Sequence, residues 1–286
     1  MQPVTESGAL YVVATPIGNI GDLSARARAV LENVDWIAAE DTRVTRRLFA
    51  AAQAPAPRAR LLALHAHNES AQATRVTALL AAGASVALVS DAGTPAISDP
   101  GAELVRAVRA GGHPVYAVPG PNAAIAALSV SGIDCSTFTF AGFLPAARGA
   151  RRSAIEALRH APGALVLHEA PHRVVECCVD LCDVLGGERR LFVARELTKL
   201  FESQHACRLA EAAAWLEADA DRRRGEFVLI VEASAQPASP AQIGVERVLA
   251  ELLPVLPASR AAQVASRLTG VTREEAYRLA LAMQGR

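Results

Sequence analysis

Lysine is almost missing from this sequence. Of 29 lysine and arginine residues, only Lys199 is a lysine. A surface charge accepts arginine in place of lysine, whereas a site needing a compact, titratable amine does not. Net charge is missing too, since 29 acidic residues balance the basic ones. That excludes bulk electrostatic attraction to nucleic acid and leaves only local basic patches for such a role. No apolar run approaches the roughly 20 residues of a membrane span, and the chain does not open on a basic segment followed by an apolar core. A cytoplasmic protein without membrane contact is expected. The five cysteines (Cys135, Cys177, Cys178, Cys182, Cys207) form neither a metal spacing with histidine nor an even disulfide framework. Cys178 and Cys182 lie at helical spacing in an apolar stripe and read as reduced core thiols. G-x-G-x-x-G after the first strand, G-x-x-x-x-G-K and H-E-x-x-H are all absent. Rossmann dinucleotide and P-loop readings thereby lose their main support, and no metal is expected.

What is present is a repeated alternation. With 286 residues the chain fits two domains and a small appendage. Apolar strands are predicted at 10–14, 36–39, 61–64, 86–89 and 115–118, each ending in a polar or glycine-rich cluster and followed by a helical pattern. A second α/β set has strands at 138–143, 164–169, 191–199 and 227–231. Residues 234–240 have a linker's composition, and helices at 259–268 and 272–282 flank a break at Thr269-Gly270-Val271. That pair resembles a helix-turn-helix and fits a generic αα-hairpin equally well. The expected fold class is α/β, with an N-terminal α/β domain (1–121), a second α/β domain (122–233) and a linker with helical region (234–286).

The most informative stretch is VALVSDAGTPAISDPG, residues 86–101. It begins as a strand buried on both faces and breaks into a loop of small residues, carboxylates and prolines. In open α/β sheets ligands sit outside the carboxyl ends of such strands. Asp91 stands at the strand end, and Gly93 allows close approach to the backbone. The same loop also fits a plain βα turn without a ligand. Glu40 and Asp41, at another strand end, either cap the next helix or accept protons. His65 and His67 alternate on a strand end, which points them to opposite faces and makes a poor start for a metal site. Two arginine clusters, Arg148/Arg151/Arg152 and Arg222/Arg223/Arg224, are either solvated faces or a phosphate-contacting surface.

Eight motifs occur in order: LYVVATPIG (10–18), AEDTR (39–43), LHAHNE (64–69), the 86–101 stretch, VPGP (118–121), GFLP (142–145), ARELTK (194–199) and GEFVLIVE (225–232). Together they resemble the ribosomal RNA small subunit methyltransferase I family of the tetrapyrrole methylase superfamily, from about Leu10 to Arg286. The resemblance implies S-adenosylmethionine in a cleft between two α/β domains, usually in a homodimer. It also implies methyl transfer to the ribose 2′-hydroxyl of a cytidine in the decoding region of 16S rRNA, in free rRNA or the small ribosomal subunit. By motif, the cofactor is expected at Pro16, Ile17, Gly18, Ser90, Asp91 and Thr94, with Asn122, Ala123, Glu169 and Leu197 completing its site. RNA is expected on the two arginine clusters. A ribose hydroxyl is a poor nucleophile at neutral pH and benefits from a base. Glu40, Asp41 and His67 are candidates. Lys199 is the sharpest, since a desolvated lysine can lose its proton near neutral pH and arginine cannot; alternatively Lys199 simply pairs with Glu196 or Glu202. Two other functions remain open: a tetrapyrrole C-methyltransferase acting on a polycarboxylate macrocycle, and a nucleic-acid-binding protein without catalysis.

Overall fold

The computed structural model describes residues 4–53, 58–234 and 245–284. The linker expected at 234–240 lies, apart from Ser234, outside them. Residues 1–234 form one compact unit holding two five-stranded sheets, and residues 235–286 form a second unit.

In the first sheet, β1 (Leu10–Val13), β2 (Trp36–Ala39), β3 (Arg60–Ala63), β4 (Val86–Val89) and β5 (Val115–Val118) are ordered β3-β2-β4-β1-β5 and run parallel. The four consecutive apolar residues of β4 are explained by its two covered faces. Ala87 and Val89 pack with Val30 and Leu31 of α1 (Ala25–Asn33) and Phe49 of α2 (Thr42–Ala51). Val86 and Leu88 pack with Leu80 of α3 (Glu69–Ala81) and with Leu104 and Val108 of α4 (Ala102–Ala110). The helices that follow β1 and β2, the neighbours of β4, therefore lie on the opposite face from the helix that follows β4. Loops diverge on both sides of β4, and a crevice opens at its carboxyl end, the arrangement of a topological switch point.

Helix starts are fixed locally. Ser24 Oγ accepts the Ala27 N–H and Asp41 Oδ1 accepts the Arg43 N–H, capping α1 and α2. At α4 the cap comes from elsewhere in the chain: Glu69 Oε1 accepts the N–H groups of Gly101, Glu103 and Leu104 at 2.9, 2.7 and 3.2 Å. These donors have no intrahelical acceptor.

Helix α5 (Ala123–Val130) leads to the second sheet, formed by β6 (Phe138–Phe143), β7 (Ala164–Glu169), β8 (Arg190–Arg195), β9 (Ser203–Arg208) and β10 (Phe227–Val231) in the order β6-β7-β10-β8-β9. Strands β6 and β7 are parallel, β10 is antiparallel to both β7 and β8, and β9 is antiparallel to β8. One face packs on α6 (Arg148–Leu158), α7 (Val174–Leu185) and α8 (Leu209–Glu217). The other packs on α5 and on Ile17, which reaches over from the loop after β1. Cys177 and Cys178 are buried on α7, and all five thiols are free. Burial pushes the Cys178 thiol up to about 12.

Two differences from the sequence reading concern this sheet. The strand expected at 191–199 stops at Arg195, because Glu196 and Thr198 turn into the left-handed region (φ 52° and 66°). Strand β9 and helix α8 are additional. The β9 sequence is polar and alternates half-buried with exposed along an edge, so it lacks the apolar run of its neighbours.

The second unit consists of α9 (Val245–Leu252), α10 (Ala258–Thr269) and α11 (Arg273–Gln284) around Leu249, Ala261, Ala262, Ala265, Ala276 and Ala280. Gly270, in the left-handed conformation at φ 75°, ends α10 where the sequence placed a break. Helix α9 was not anticipated.

Candidate active site

The loops that follow β1, β4 and β5 are tied to one another. Thr15 and Gly93 exchange backbone hydrogen bonds of 2.8 and 3.1 Å, and Thr15 Oγ1 donates to the Ser90 carbonyl. Thr94 Oγ1 donates to the Pro121 carbonyl at 3.0 Å, and Asn122 Oδ1 caps α5 by accepting the Ile125 N–H. Asp91 Oδ1 accepts the Asp41 N–H at 3.0 Å, while the Asp91 N–H donates to Glu40 Oε2 at 3.3 Å, joining the ends of β2 and β4. The loops thus form a preorganised rim.

Against this rim stands the edge of the second sheet where β7 and β8 end and β10 begins, with Phe227 in register with both Glu169 and Arg195. Between them is a cleft of about 430 Å³, the size of a small-molecule site. Ile17, Asp91, Thr94, Asn122, Ala123, Glu169 and Leu197, all expected at the cofactor, line it together with Glu40. Ser90 lies buried behind the rim and donates to the Ala92 carbonyl. Pro16 and Gly18 do not line the cleft. Gly18 is where the two lobes touch: a Cβ there would collide with Lys199 Cγ and Thr198 Oγ1, and the neighbouring Asn19 N–H donates to Thr198 Oγ1 at 3.1 Å.

The walls carry the carboxylates Glu40, Asp91, Asp99, Glu169 and Glu226, and neither lysine nor arginine. Burial, reinforced by the charges of Glu40 and Asp91, pushes Asp99 up to about 6. Asp91 is also raised, chiefly by burial. Glu169 accepts the Ala170 N–H and pairs with Arg173 at 3.3 Å. His168 is held edge-on by Phe140 and Phe143, burial lowers its pKa, and its buried Nε2 has no partner among the described residues. A cleft that mixes apolar side chains with five carboxylates and carries no basic side chain in its walls suits a cationic ligand with hydrogen-bonding edges. The sulfonium and adenine of S-adenosylmethionine fit that description. Asp99, His168 and Glu226 were missed by the sequence reading; the clue available was the Asp-Pro-Gly ending of the 86–101 stretch.

Other expected residues are engaged elsewhere. Asp41 is held by Arg43, whose guanidinium and N–H bring its carboxyl down to about 2, so it caps α2. His65 and His67 follow the end of β3 in a turn, and their rings meet edge-on at 6.1 Å rather than pointing to opposite faces. His67 does not line the cleft. Lys199 Nζ binds Glu196 at 2.9 Å and Glu226 at 3.1 Å. Burial alone would lower its pKa, but these two carboxylates raise it, so the ammonium keeps its proton at neutral pH. A charge-pairing role predicts that Lys199→Arg keeps turnover within about threefold, whereas loss of a general base costs 100-fold or more. Steady-state kinetics on the variant decide between the two.

The arginine clusters are mostly ion-paired, and one member is buried. Arg151 is 1% exposed and bonds Asp180 at 2.7 Å and Glu176 at 3.2 Å. Arg148 and Arg152 converge on the same Asp180 at 3.1 and 3.2 Å, and Arg152 also binds Asp183. Arg222 stacks over Trp215 at 4.8 Å and donates to its carbonyl, while Arg224 pairs with Asp221. Arg223 is exposed. Burial withdraws Arg151 alone from any phosphate-contacting surface; the side chains of Arg148 and Arg224 stay 66% and 75% exposed while ion-paired.

Among the described residues no helix is long and apolar enough to cross a membrane, and no group of His, Cys, Asp or Glu could hold a metal ion.

Residues 9–213 match the family model described as Tetrapyrrole (Corrin/Porphyrin) Methylases, and residues 237–284 match one described as the RsmI C-terminal HTH domain. Among solved structures, the methyltransferase CobJ superposes with a TM-score of 0.59 at 18% identity, covering 80% of this chain and 95% of that one. A uroporphyrin-III C-methyltransferase from Thermus thermophilus complexed with S-adenosyl homocysteine has a TM-score of 0.55 at 20% identity, covering 78% and 96%. Curated relatives are far closer in sequence. A "Ribosomal RNA small subunit methyltransferase I" of Xylella fastidiosa is 50% identical over 94% of this chain and 98% of its own length. Those of Pseudomonas aeruginosa and Escherichia coli O157:H7 are 47% and 45% identical, over 98% and 97% of this chain and 99% and 96% of theirs. The chain therefore belongs to the tetrapyrrole methylase family and, within it, to the ribosomal RNA small subunit methyltransferases I.

Proposed function

We propose that this chain transfers a methyl group from S-adenosylmethionine to the ribose 2′-hydroxyl of a cytidine in the decoding region of 16S rRNA. The supporting observation is near-full-length identity to the rRNA methyltransferases, joined to a carboxylate-walled cleft at the switch point of the first sheet. When bound, the cofactor supplies an electrophilic methyl on a cationic sulfur. The tied loops after β1, β4 and β5 orient it, the acidic walls favour its positive charge, and Ile17 with Leu197 excludes water where the lobes meet. A polycarboxylate tetrapyrrole is disfavoured because neither arginine nor lysine lines this cleft. A ribose presents a single neutral hydroxyl and can leave its phosphates outside. Cytoplasmic action and a homodimer are part of the same reading; Leu200 and Phe201, 90% and 68% exposed at the turn between β8 and β9, supply apolar surface for a second copy.

The test is incubation with methyl-labelled S-adenosylmethionine and either small ribosomal subunits or free 16S rRNA, followed by nucleoside analysis. Label in 2′-O-methylcytidine is expected. Label in a methylated base rejects the ribose reading, and no transfer to either RNA substrate rejects the function.

A further inference from the structure

Among the described residues, five non-glycine residues have φ in the left-handed region, and four of them flank the cleft: Ala96 and Ser98 in the first lobe, Glu196 and Thr198 in the second. Such conformations persist where the surrounding structure over-determines them, and they concentrate at working sites. Ala96 and Ser98 immediately precede Asp99. On its far side the loop is clamped by Glu69, which holds the Gly101 N–H, and across from it the bare Cα of Gly142 admits Ser98 Oγ. The strained backbone delivers Asp99 to the wall of the cleft.

We propose that Asp99 is the catalytic residue that takes the proton from the acceptor hydroxyl, an assignment that rests on the ribose-methylation reading above. As the hydroxyl O–H bond breaks, its proton passes to the Asp99 carboxylate. The oxygen forms the new bond to the methyl carbon, and the carbon–sulfur bond breaks with its electron pair left on sulfur, which becomes a neutral thioether. No other reactant is needed.

The candidate bases suggested by the sequence are engaged in other contacts or lie outside the cleft. Lys199 is protonated between Glu196 and Glu226, Asp41 is bound to Arg43, and His67 does not line the cleft. Glu40 holds the Asp91 N–H. The titratable groups sharing the cleft with Asp99 are Glu40 after β2, Asp91 after β4, His168 and Glu169 at the end of β7, and Glu226 before β10. Burial and the negative charges of Glu40 and Asp91 raise Asp99 to about 6. At neutral pH the carboxylate is ionised yet basic enough to accept a proton, the match general base catalysis needs.

Because its folded pKa is raised above the unfolded 3.8, ionised Asp99 destabilises the fold increasingly as pH rises from about 4 to about 6, and fully above that. Asp99→Asn, without cofactor, is therefore expected to melt at a higher temperature than wild type at pH 7, with the gap shrinking as pH falls towards 5. With small subunits or 16S rRNA, whichever the wild type modifies, turnover falls about 100-fold or more and the acid limb of kcat/KM near pH 6 disappears. Cofactor affinity by calorimetry stays within about fivefold, and Asp99→Glu restores part of the rate. Near-normal turnover of Asp99→Asn overturns the assignment. So does affinity falling in step with rate, which makes Asp99 a cofactor ligand, or a lower melting temperature, which makes it structural. Nucleoside analysis of the wild-type product separates the two levels. A methylated base rejects the ribose reading and this proposal with it, whereas 2′-O-methylcytidine with an active Asp99→Asn rejects Asp99 alone.

Discussion

Asp180→Ala is expected to unfold roughly 6–20 °C below the wild type, the consequence of about 3–5 kcal/mol lost when one partner of a buried ion pair is removed. Asp180 and Arg151 are each 1% exposed, and Arg148 and Arg152 close over the same carboxylate from α6. Without Asp180 the Arg151 guanidinium stays buried, with only the Ala146 carbonyl and the exposed Glu176 to hold it. Burial would raise the Asp180 pKa, but the hydrogen bonds from Arg151, Arg148 and Arg152 outweigh it and hold the carboxyl below its ordinary 3.8. A depressed carboxylate contributes stability that is present above its unfolded pKa and lost as pH falls through the folded one. The gap between variant and wild type should thus be full at neutral pH and begin to close only below about pH 4. Thermal unfolding at pH 7 and pH 3 measures both. A difference under about 2 °C at pH 7 would mean that the Asp180–Arg151 pair does not hold α6 on α7.

The same network shows where sequence reading stops. Arginine spacing on α6 is visible in the chain, but Asp180 lies 29 residues from Arg151, and nothing local says that they meet. Lys199 repeats the lesson, because its rarity is legible while its pairing with Glu226, 27 residues on, is not. Asp99 is the converse case. Its motif is plain in the sequence, yet its perturbed pKa depends on burial in the cleft and on Glu40 at the end of another strand. By contrast β4 and β10 are legible, since burial on both faces demands an unbroken apolar run. The loops that line the cleft follow from those strands, because a parallel sheet brings its carboxyl ends to one edge. Strand β9 escapes because an edge strand needs only one apolar face, and Ser203, Gln204, His205 and Arg208 do not advertise it.

Gly18→Val should separate effects on the cofactor from effects on the fold. Gly18 approaches Leu197, Thr198 and Lys199 so closely that a Cβ cannot be accommodated without moving them. Those residues are poorly able to yield. Glu196 and Thr198 are already in left-handed conformations, the Thr198 N–H is held by Glu202 at 2.6 Å, and Lys199 Nζ is anchored by two carboxylates. The added bulk must therefore push the loop after β1 away from the second lobe, and Ile17 moves with it out of the apolar cluster it shares with Leu197. Overpacking of this kind costs about 1–3 kcal/mol, and the site is where it falls, since Ile17 and Leu197 both line the cleft. Affinity for S-adenosylmethionine is expected to fall about 10-fold to 100-fold, the equivalent of that energy. The cores on α1–α4 and α6–α8 lie away from the contact and should keep the chain folded. Calorimetric titration together with circular dichroism checks both halves. Wild-type affinity in a folded Gly18→Val protein would mean that the lobe junction does not set the cofactor site.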